Sequence, residues 1–333
     1  MRYRTILAAL GLVSSAYLPC LTTSVQAQPT ADQVLADMGL SPDDKQRVLN
    51  GEFVTADVGA VSERDLSFSV AFLVKTSPDA LSKQVTAGDL VSADSQVQAH
   101  GELHGVGTLA DMAALRITSE AAQILAKAQS GEALNLGTGE IAAFKALQGG
   151  TPQAIQQQLQ RTLLARYQAY RESGLAGIAP YDRGGGKQTD VASDLGKAGQ
   201  AATGLQKYLP AFHAVLLGFP KATLPEMRQN FFWVQYNIQG KPTYVLTHIL
   251  AASDGAARAV VQRQYYVSTG YNAEQAVAGF LPVQGGTVVV YASHAFTDQV
   301  AGLGGSMKRG IGRRVMAEQM KKMFEAGRKQ VEH

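Results

Sequence analysis

The chain has 333 residues, of which 46% are hydrophobic, and its 30 basic and 27 acidic side chains leave a formal net charge of +3. A chain of this length and apolar content can bury a large core, which excludes a disordered protein. The small net charge argues against a general nucleic-acid-binding protein.

The first 27 residues have the pattern of a secretory signal peptide. Arg2 and Arg4 precede an apolar run from Ile6 to Val13, and the small residue Ala27 ends the segment. The run stops at Ser14, well short of the roughly 20 apolar residues that a membrane span needs. We therefore expect cleavage after about Ala27 and a protein that works in the periplasm or is secreted.

The only cysteine, Cys20, lies within this predicted signal peptide. The mature chain can therefore form no disulfide and has no cysteine to bind a metal or act as a nucleophile. Removing Arg2 and Arg4 from the 30 basic residues leaves 28 against 27 acidic ones. We expect no nucleic-acid partner and no cofactor.

The segment after the signal peptide combines a helix with two strands. The pattern predicts a helix over 29–50 and strands over 52–58 and 66–75. In the second strand large apolar residues alternate with smaller ones, as expected of a half-buried strand. Ser77 and Pro78 then supply the N-cap and the first residue of another helix.

The middle of the chain, about 89–210, is rich in Ala, Gln and Leu and is predicted to form helices joined by loops. The clearest helix begins at Thr151 with Pro152 and shows apolar residues at helical spacing. The stretch 181–187 ends in Gly-Lys but lacks the first glycine of a P-loop and has Gln188 after the lysine, so we predict no nucleotide site. Whether this helical insertion is a lid or a separate docking surface stays open.

The last third is predicted to be a sheet followed by one helix. Strand patterns separated by short breaks cover 231–238, 243–252, 259–269, 275–281 and 286–296. Consecutive strands with short connections predict an antiparallel meander and an α+β protein. The chain closes with a predicted helix over 306–331, whose apolar stripe, including Met316, Met320 and Phe324, should pack on the sheet.

The start of this last helix suggests a site for an anion. Continued backward, the helical phase places Arg309 and Arg313 on the buried face, beside Gly304 and Gly305 at the helix N-terminus. Free backbone N–H groups and the helix dipole favour an anion there, and arginine adds forked donors.

A second interpretation of the same segment stays open. Gly310 and Gly312 would break the helical phase, so that Met307, Ile311 and Val315 face inward and both arginines are solvated.

Two histidines and two large aromatic residues are further candidates. His248, His294, Trp233 and Tyr266 lie in the predicted strands, where they would fill a core or line a cavity. A hydrolase built on His248 or His294 is an alternative, although the chain lacks a Gly-x-Ser-x-Gly motif.

A metal site is not predicted. His100 and His104 have i, i+4 spacing, but Gly101 stands where zinc proteases have glutamate. We interpret this segment as a solvent-exposed loop or helix.

In element order the chain resembles the START/SRPBCC helix-grip superfamily. This resemblance implies a curved sheet that wraps the last helix and encloses a cavity for lipids or other apolar ligands. The stretches 174–181, 264–268 and 297–302 also resemble a family of uncharacterised exported bacterial proteins, which implies location and fold but no activity.

The sequence thus predicts one START-like α+β domain over 28–333, with a helical insertion at about 89–210, that binds a lipid or other amphipathic ligand without catalysis. The candidate ligand-binding residues are Arg309, Arg313, Gly304, Gly305, His248, His294, Tyr266 and Trp233. The alternatives are a structural or interaction protein of the cell envelope with a filled core, and a hydrolase. A peripheral contact with the envelope membrane is compatible with each, and the oligomeric state is not predicted.

Overall fold

The computed structural model describes residues 29–89, 91, 94–238, 240–255, 257–302 and 304–332. The predicted signal peptide lies outside the described residues. The described strands are β1 (Val54–Ala56), β2 (Asp65–Val74), β3 (Val97–Glu102), β4 (Tyr181–Gly184), β5 (Lys187–Thr189), β6 (Arg228–Ile238), β7 (Lys241–Asp254), β8 (Ala257–Val267), β9 (Ala273–Val283) and β10 (Gly286–Phe296).

The described helices are α1 (Ala31–Asp37), α2 (Pro42–Leu49), α3 (Pro78–Ala87), α4 (Ser119–Ala126), α5 (Thr138–Lys145), α6 (Pro152–Ser173), α7 (Val191–Gln200), α8 (Thr203–Tyr208), α9 (Pro210–Gly218) and α10 (Gly305–Val331). Ser77 and Thr151 cap α3 and α6 through their side chains, and a proline follows each cap. The Ser77 cap and the start of α6 at Thr151-Pro152 are as the sequence predicted.

One open antiparallel sheet of eight strands organises the fold. Its strand order is β1-β2-β10-β9-β8-β7-β6-β3, so β6 to β10 form the predicted meander. Hairpin turns at Gly240 and Gly285 have positive φ angles, which glycine adopts at no steric cost. The α+β class and the antiparallel sheet are confirmed.

Two predictions about the helices need correction. The helix predicted over 29–50 is two helices, because Gly39 leaves the helical conformation at φ +79° and Ser41 caps a new helix at Pro42. Residues Val97–Glu102 of the insertion, predicted without a strand, pair with β6 as the edge strand β3. Gly101 suits this pairing, since a Cβ there would lie 2.6 Å from the Trp233 indole nitrogen.

Helices cover both faces of the sheet. On one face α3 and α10 pack against alternate residues of β2 and β6 to β10, and Phe324 of α10 contacts Phe72 of β2 with their ring centroids 5.1 Å apart. On the other face lie α1, α2 and the insertion helices α4 to α9, which form three further apolar clusters. The insertion helices are therefore not a lid over α10.

Helix α10 runs along β2 in the same direction. A Cβ at Gly312 would touch Leu66 at the start of β2, and Glu332 accepts a hydrogen bond of 2.8 Å from the backbone N–H of Lys75 just after its end. Beyond β10, helix α3 packs on β9 and β8.

Candidate functional site

The eight candidate residues from the sequence do not form one site, because the sheet separates them. Arg309, Arg313, Gly304 and Gly305 belong to the start of α10 on one face. His248, His294, Tyr266 and Trp233 point to the other face, under or beside the insertion.

The inner side of α10 begins with Arg309 and Arg313. Arg309, Gly312 and Arg313 are half-buried, whereas Met307, Ile311 and Val315 are 74%, 59% and 49% exposed. The helical phase thus continues through Gly310 and Gly312 without a break. The interpretation in which both arginines are solvated is wrong, because Leu66 fills the space beside Gly312.

Arg309 and the two glycines hold the N-terminus of α10 in place. Arg309 Nη1 donates to the carbonyl oxygens of Glu63 and Val300 at 3.0 and 3.4 Å. Gly304 has φ +73°, and a Cβ at Gly305 would lie 2.6 Å from the Val300 carbonyl oxygen. These three residues have structural roles here, and Arg309 has less capacity left for an anion.

Arg313 is the unsatisfied cation of the group. Its Nε is shielded from water, yet no described residue accepts a hydrogen bond from it. Leaving a buried donor without a partner costs about 1–3 kcal/mol, and more for a charged group. An anionic or acceptor group placed beside α10 would remove this cost.

Below the start of α10 the sheet presents a polar floor. Leu66, Ala295, Glu274 and Gln264 are paired in one row across β2, β10, β9 and β8. Paired residues of antiparallel strands point to the same face, so the whole row faces the side of Leu66 and α10. Arg313 and Glu274 therefore lie towards the same end of the sheet.

Glu274, the acidic residue of this row, accepts hydrogen bonds from two hydroxyl groups. Ser293 Oγ donates to Glu274 Oε1 at 2.6 Å, and Tyr291 Oη donates to the same oxygen at 3.4 Å. Tyr271 Oη donates to Gln264 Oε1 beside them. Burial raises the pKa of Glu274 more than the hydroxyl hydrogen bonds lower it.

The floor changes from polar to apolar along the strands. Moving from Glu274 towards the other end of β9, the next residues on this face are Ala276, Ala278 and Phe280. On β8, Gln264 and Gln262 are followed by Val260. The polar end remains half-buried at Glu274, Tyr271 and Tyr291, while the apolar end is covered by α3 and the second half of α10. We call this strip of the sheet face, from Glu274 and Gln264 to Phe280 and Val260 beside α10, the α10 groove.

Apolar side chains cover the apolar end of the α10 groove. Partly buried side chains that pack against the apolar end come from α10 (Met316, Met320, Phe324), from α3 (Val85) and from the chain that follows α3 (Val91, Val97). An apolar surface with a few polar groups at one end has the chemical character that suits a small amphipathic molecule.

His248 and Trp233 lie on the insertion face as satisfied core residues. His248 is fully buried, with Nδ1 3.0 Å from Tyr170 Oη and Nε2 3.1 Å from Gln229 Oε1. Burial, with a smaller effect of the Arg263 cation, lowers the pKa of His248 well below its usual range. Trp233 Nε1 donates to the Asp111 carbonyl oxygen at 2.8 Å.

Tyr266 is buried beneath a salt bridge of the insertion. The Arg166 guanidinium lies 4.3 Å from the centroid of the Tyr266 ring and is held by Glu140 through hydrogen bonds of 2.7 and 2.6 Å. A β-bulge at Tyr265 places the consecutive residues Tyr265 and Tyr266 on this same face of the sheet. Trp233, Tyr244, Tyr265 and Tyr266 all lie on this face.

His294 forms a buried pair with a carboxylate. Its Nδ1 lies 2.8 Å from Asp65 Oδ2, and both side chains are buried. Within the described residues no hydroxyl group hydrogen-bonds to His294, so the nucleophile of a Ser-His-Asp arrangement is not assembled there. The geometry therefore gives no support to a hydrolase built on His294.

Sequence reasoning missed Arg183, in the glycine-rich stretch rejected as a P-loop. This stretch forms the hairpin β4–β5, and Arg183 donates to Asp298, Asn135 and Asn272 side chains. Only long-range pairing brings these partners together, so the sequence carries no local signal for them.

His100 and Glu102 lie on the edge strand β3 and His104 follows it, rather than in a loop or helix. In the part of the chain that the structure describes, no three His, Cys, Asp or Glu side chains are grouped as metal ligands. Across the same residues, no helix is both long and apolar enough to cross a membrane.

Comparisons of the chain with protein-family models, with curated proteins and with solved structures find no match.

Proposed function

We propose that this chain is an exported binding protein for an anionic amphipathic molecule, such as a single-chain lipid. The apolar part of the ligand lies in the α10 groove, and its head group pairs with Arg313. In this proposal the sheet and α10 act as a helix-grip fold, and residues 1–27 direct the protein out of the cytoplasm.

The observation that carries the proposal is the position of Arg313. Arg313 is directed towards the sheet with its Nε buried, and where no described residue accepts a hydrogen bond from that Nε, the ligand-free protein carries the cost of an unpaired donor. A carboxylate or phosphate accepts two parallel hydrogen bonds from a guanidinium, which makes it the best-suited partner.

The floor of the groove supports the same ligand class. It is polar at Glu274 and Gln264, towards the end where Arg313 lies, and apolar at Val260 and Phe280. A molecule with one polar end and one apolar end matches this gradient in one orientation only. A filled core would place apolar residues along the whole face, so the gradient also favours binding over the purely structural alternative.

The proposal is tested by titrating the mature protein with cis-parinaric acid, a fluorescent fatty acid. The matched variants are Arg313→Gln and Arg314→Gln, because Arg314 is the adjacent arginine on the exposed side of the same helix. Loss of a hydrogen-bonded charge pair weakens binding by about 10- to 100-fold, at 1.4 kcal/mol per factor of ten. We expect this loss in Arg313→Gln alone. Equal affinities of the two variants, or no saturable binding by the wild type, would contradict the proposal.

A further inference from the structure

A cavity lies on the insertion side of the sheet, on the face opposite the α10 groove. This cleft has a volume of about 320 Å³ and opens between the end of α6, the α9–β6 connection and the start of β6. Its walls include Tyr167, Arg171, Phe219, Gln229, Asn230 and Phe231. The volume falls at the lower end of the range for small-molecule sites.

A buried cation lies behind the cleft. Arg263 is 1% exposed, and its hydrogen-bond partners are the neutral groups Gln275 Oε1, the Leu216 carbonyl oxygen and Tyr170 Oη. Among the described residues no carboxylate pairs with it. An uncompensated buried charge makes the surrounding cavity attractive to an anion.

A chain of hydrogen bonds leads from Arg263 to the cleft. A guanidinium can only donate, so Tyr170 Oη accepts from Arg263 at 3.2 Å and gives its own proton to His248 Nδ1 at 3.0 Å. The neutral imidazole then carries its proton on Nε2 and donates to Gln229 Oε1 at 3.1 Å. This direction leaves the Gln229 NH2 group as a donor at the cleft wall.

Arg171 supplies a second donor group. Its Nη1 donates to Tyr167 Oη at 3.3 Å, and Tyr167 in turn donates to the Gly105 carbonyl oxygen at 2.7 Å. The described residues offer the rest of the Arg171 guanidinium no carboxylate. The cleft thus contains two hydrogen-bond donors, the half-buried Arg171 guanidinium and the Gln229 NH2 group.

Aromatic rings and one acidic residue limit the ligand. Phe231 stacks on His248 with ring centroids 4.2 Å apart, and Phe219 lies 4.6 Å from the same ring. These rings form an apolar wall. Glu102, near His104 on the cleft rim, disfavours a ligand with a second negative charge.

We propose that this cleft binds a small monocarboxylate, whose acid group is held by Arg171 and Gln229 and whose apolar part lies against Phe219 and Phe231. The cleft and the α10 groove are on opposite faces of the sheet, so this site is independent of the proposed lipid site.

The test uses 3-phenylpropionate as the probe and isothermal titration calorimetry of the mature protein. The controls are the neutral analogue 3-phenylpropanamide and the variant Arg161→Gln, which removes an exposed arginine from the same helix α6. We expect the acid to bind at least 10-fold more tightly than the amide, and Arg171→Gln to abolish this preference while Arg161→Gln retains it.

A second variant covers the case in which Arg171→Gln does not fold. Gln229 is exposed, so Gln229→Glu places a negative charge at the cleft on a surface position. It should weaken binding of the acid by at least 10-fold. The proposal is overturned if the acid and the amide bind equally, if the wild type binds neither, or if both cleft variants bind the acid as the wild type does.

Discussion

Arg64 and Asp194 form a two-point ion pair that joins the chain before β2 to helix α7 of the insertion. Arg64 Nε lies 2.9 Å from Asp194 Oδ2, and Arg64 Nη2 lies 3.0 Å from Oδ1. Asp194 is fully buried, and its burial raises its pKa more than the cation lowers it. The pair anchors the insertion to the sheet on the face opposite α10.

Arg64→Ala should leave Asp194 buried without its cation. We expect a loss of about 3–5 kcal/mol in the free energy of unfolding at pH 7. Without the cation the pKa of Asp194 rises further, so the acid takes up a proton in the folded state as the pH falls, and the loss should shrink towards pH 4. Urea denaturation at several pH values measures this. A loss independent of pH, or no larger than that of the exposed Arg161→Ala, would contradict it.

His248 should make stability depend on pH. Its pKa is lowered in the folded state, so below about pH 6.5 the unfolded chain binds a proton that the folded chain does not. Stability from this group is complete above pH 6.5 and is lost as the pH falls, by up to about 1.4 kcal/mol per pH unit.

The comparison of His248→Gln with the wild type in urea, between pH 8 and pH 5, isolates this slope. The variant should be less stable at pH 8 and should lose less stability on acidification. His100→Gln, on the exposed edge strand, should keep the wild-type slope. Parallel pH curves for His248→Gln and the wild type would show that His248 is not the group responsible.

Alanine substitutions at two glycines of α10 test which side of this helix faces the sheet. A Cβ at Gly310 meets no atom within 4 Å, whereas a Cβ at Gly312 lies 3.0 Å from Leu66 Cδ2. Gly310→Ala should stabilise the protein by about 0.5–1 kcal/mol, the usual gain of alanine in a helix. Gly312→Ala should gain less or lose stability because Leu66 must move. Equal gains in denaturant titrations would mean that Gly312, and with it Arg313, does not face the sheet.

Glu274→Gln tests the polar floor of the α10 groove. The pKa of Glu274 is raised in the folded state, so its contribution to stability is complete below the unfolded pKa and is lost as the pH rises through the folded pKa. Glutamine retains an acceptor for Ser293 without the charge. The variant should match the wild type near pH 4 and exceed it at pH 8 in thermal unfolding, whereas Glu318→Gln on the exposed side of α10 should show no such difference. A variant that is less stable than the wild type at pH 8 would argue against this.

Local patterns were sufficient to predict most elements of the sheet and the inward face of the second half of α10. The alternation of apolar residues marks β2, and the spacing of Met316, Met320 and Phe324 marks the side of α10 that packs on the sheet, whereas the phase at Arg313 stayed open between two interpretations. Neither prediction needs knowledge of distant residues.

The features that could not be predicted depend on distant pairing. Glu274 and Ser293 meet only because of the register between β9 and β10, and Arg64 meets Asp194 across 130 residues of chain. Alternation shows that His248 lies on one face of its strand but does not say which helices cover that face. For this reason the sequence combined residues from both faces into one candidate site.

The central claim is that the α10 groove holds an amphipathic molecule paired with Arg313. Native mass spectrometry of the mature protein, purified from a bacterial periplasm without detergent and followed by solvent extraction, tests it most directly. We predict a stoichiometric anionic lipid on the wild type and on Arg314→Gln, with reduced occupancy on Arg313→Gln. A ligand-free mass for the wild type, unchanged after exposure to total envelope lipid, would contradict the claim.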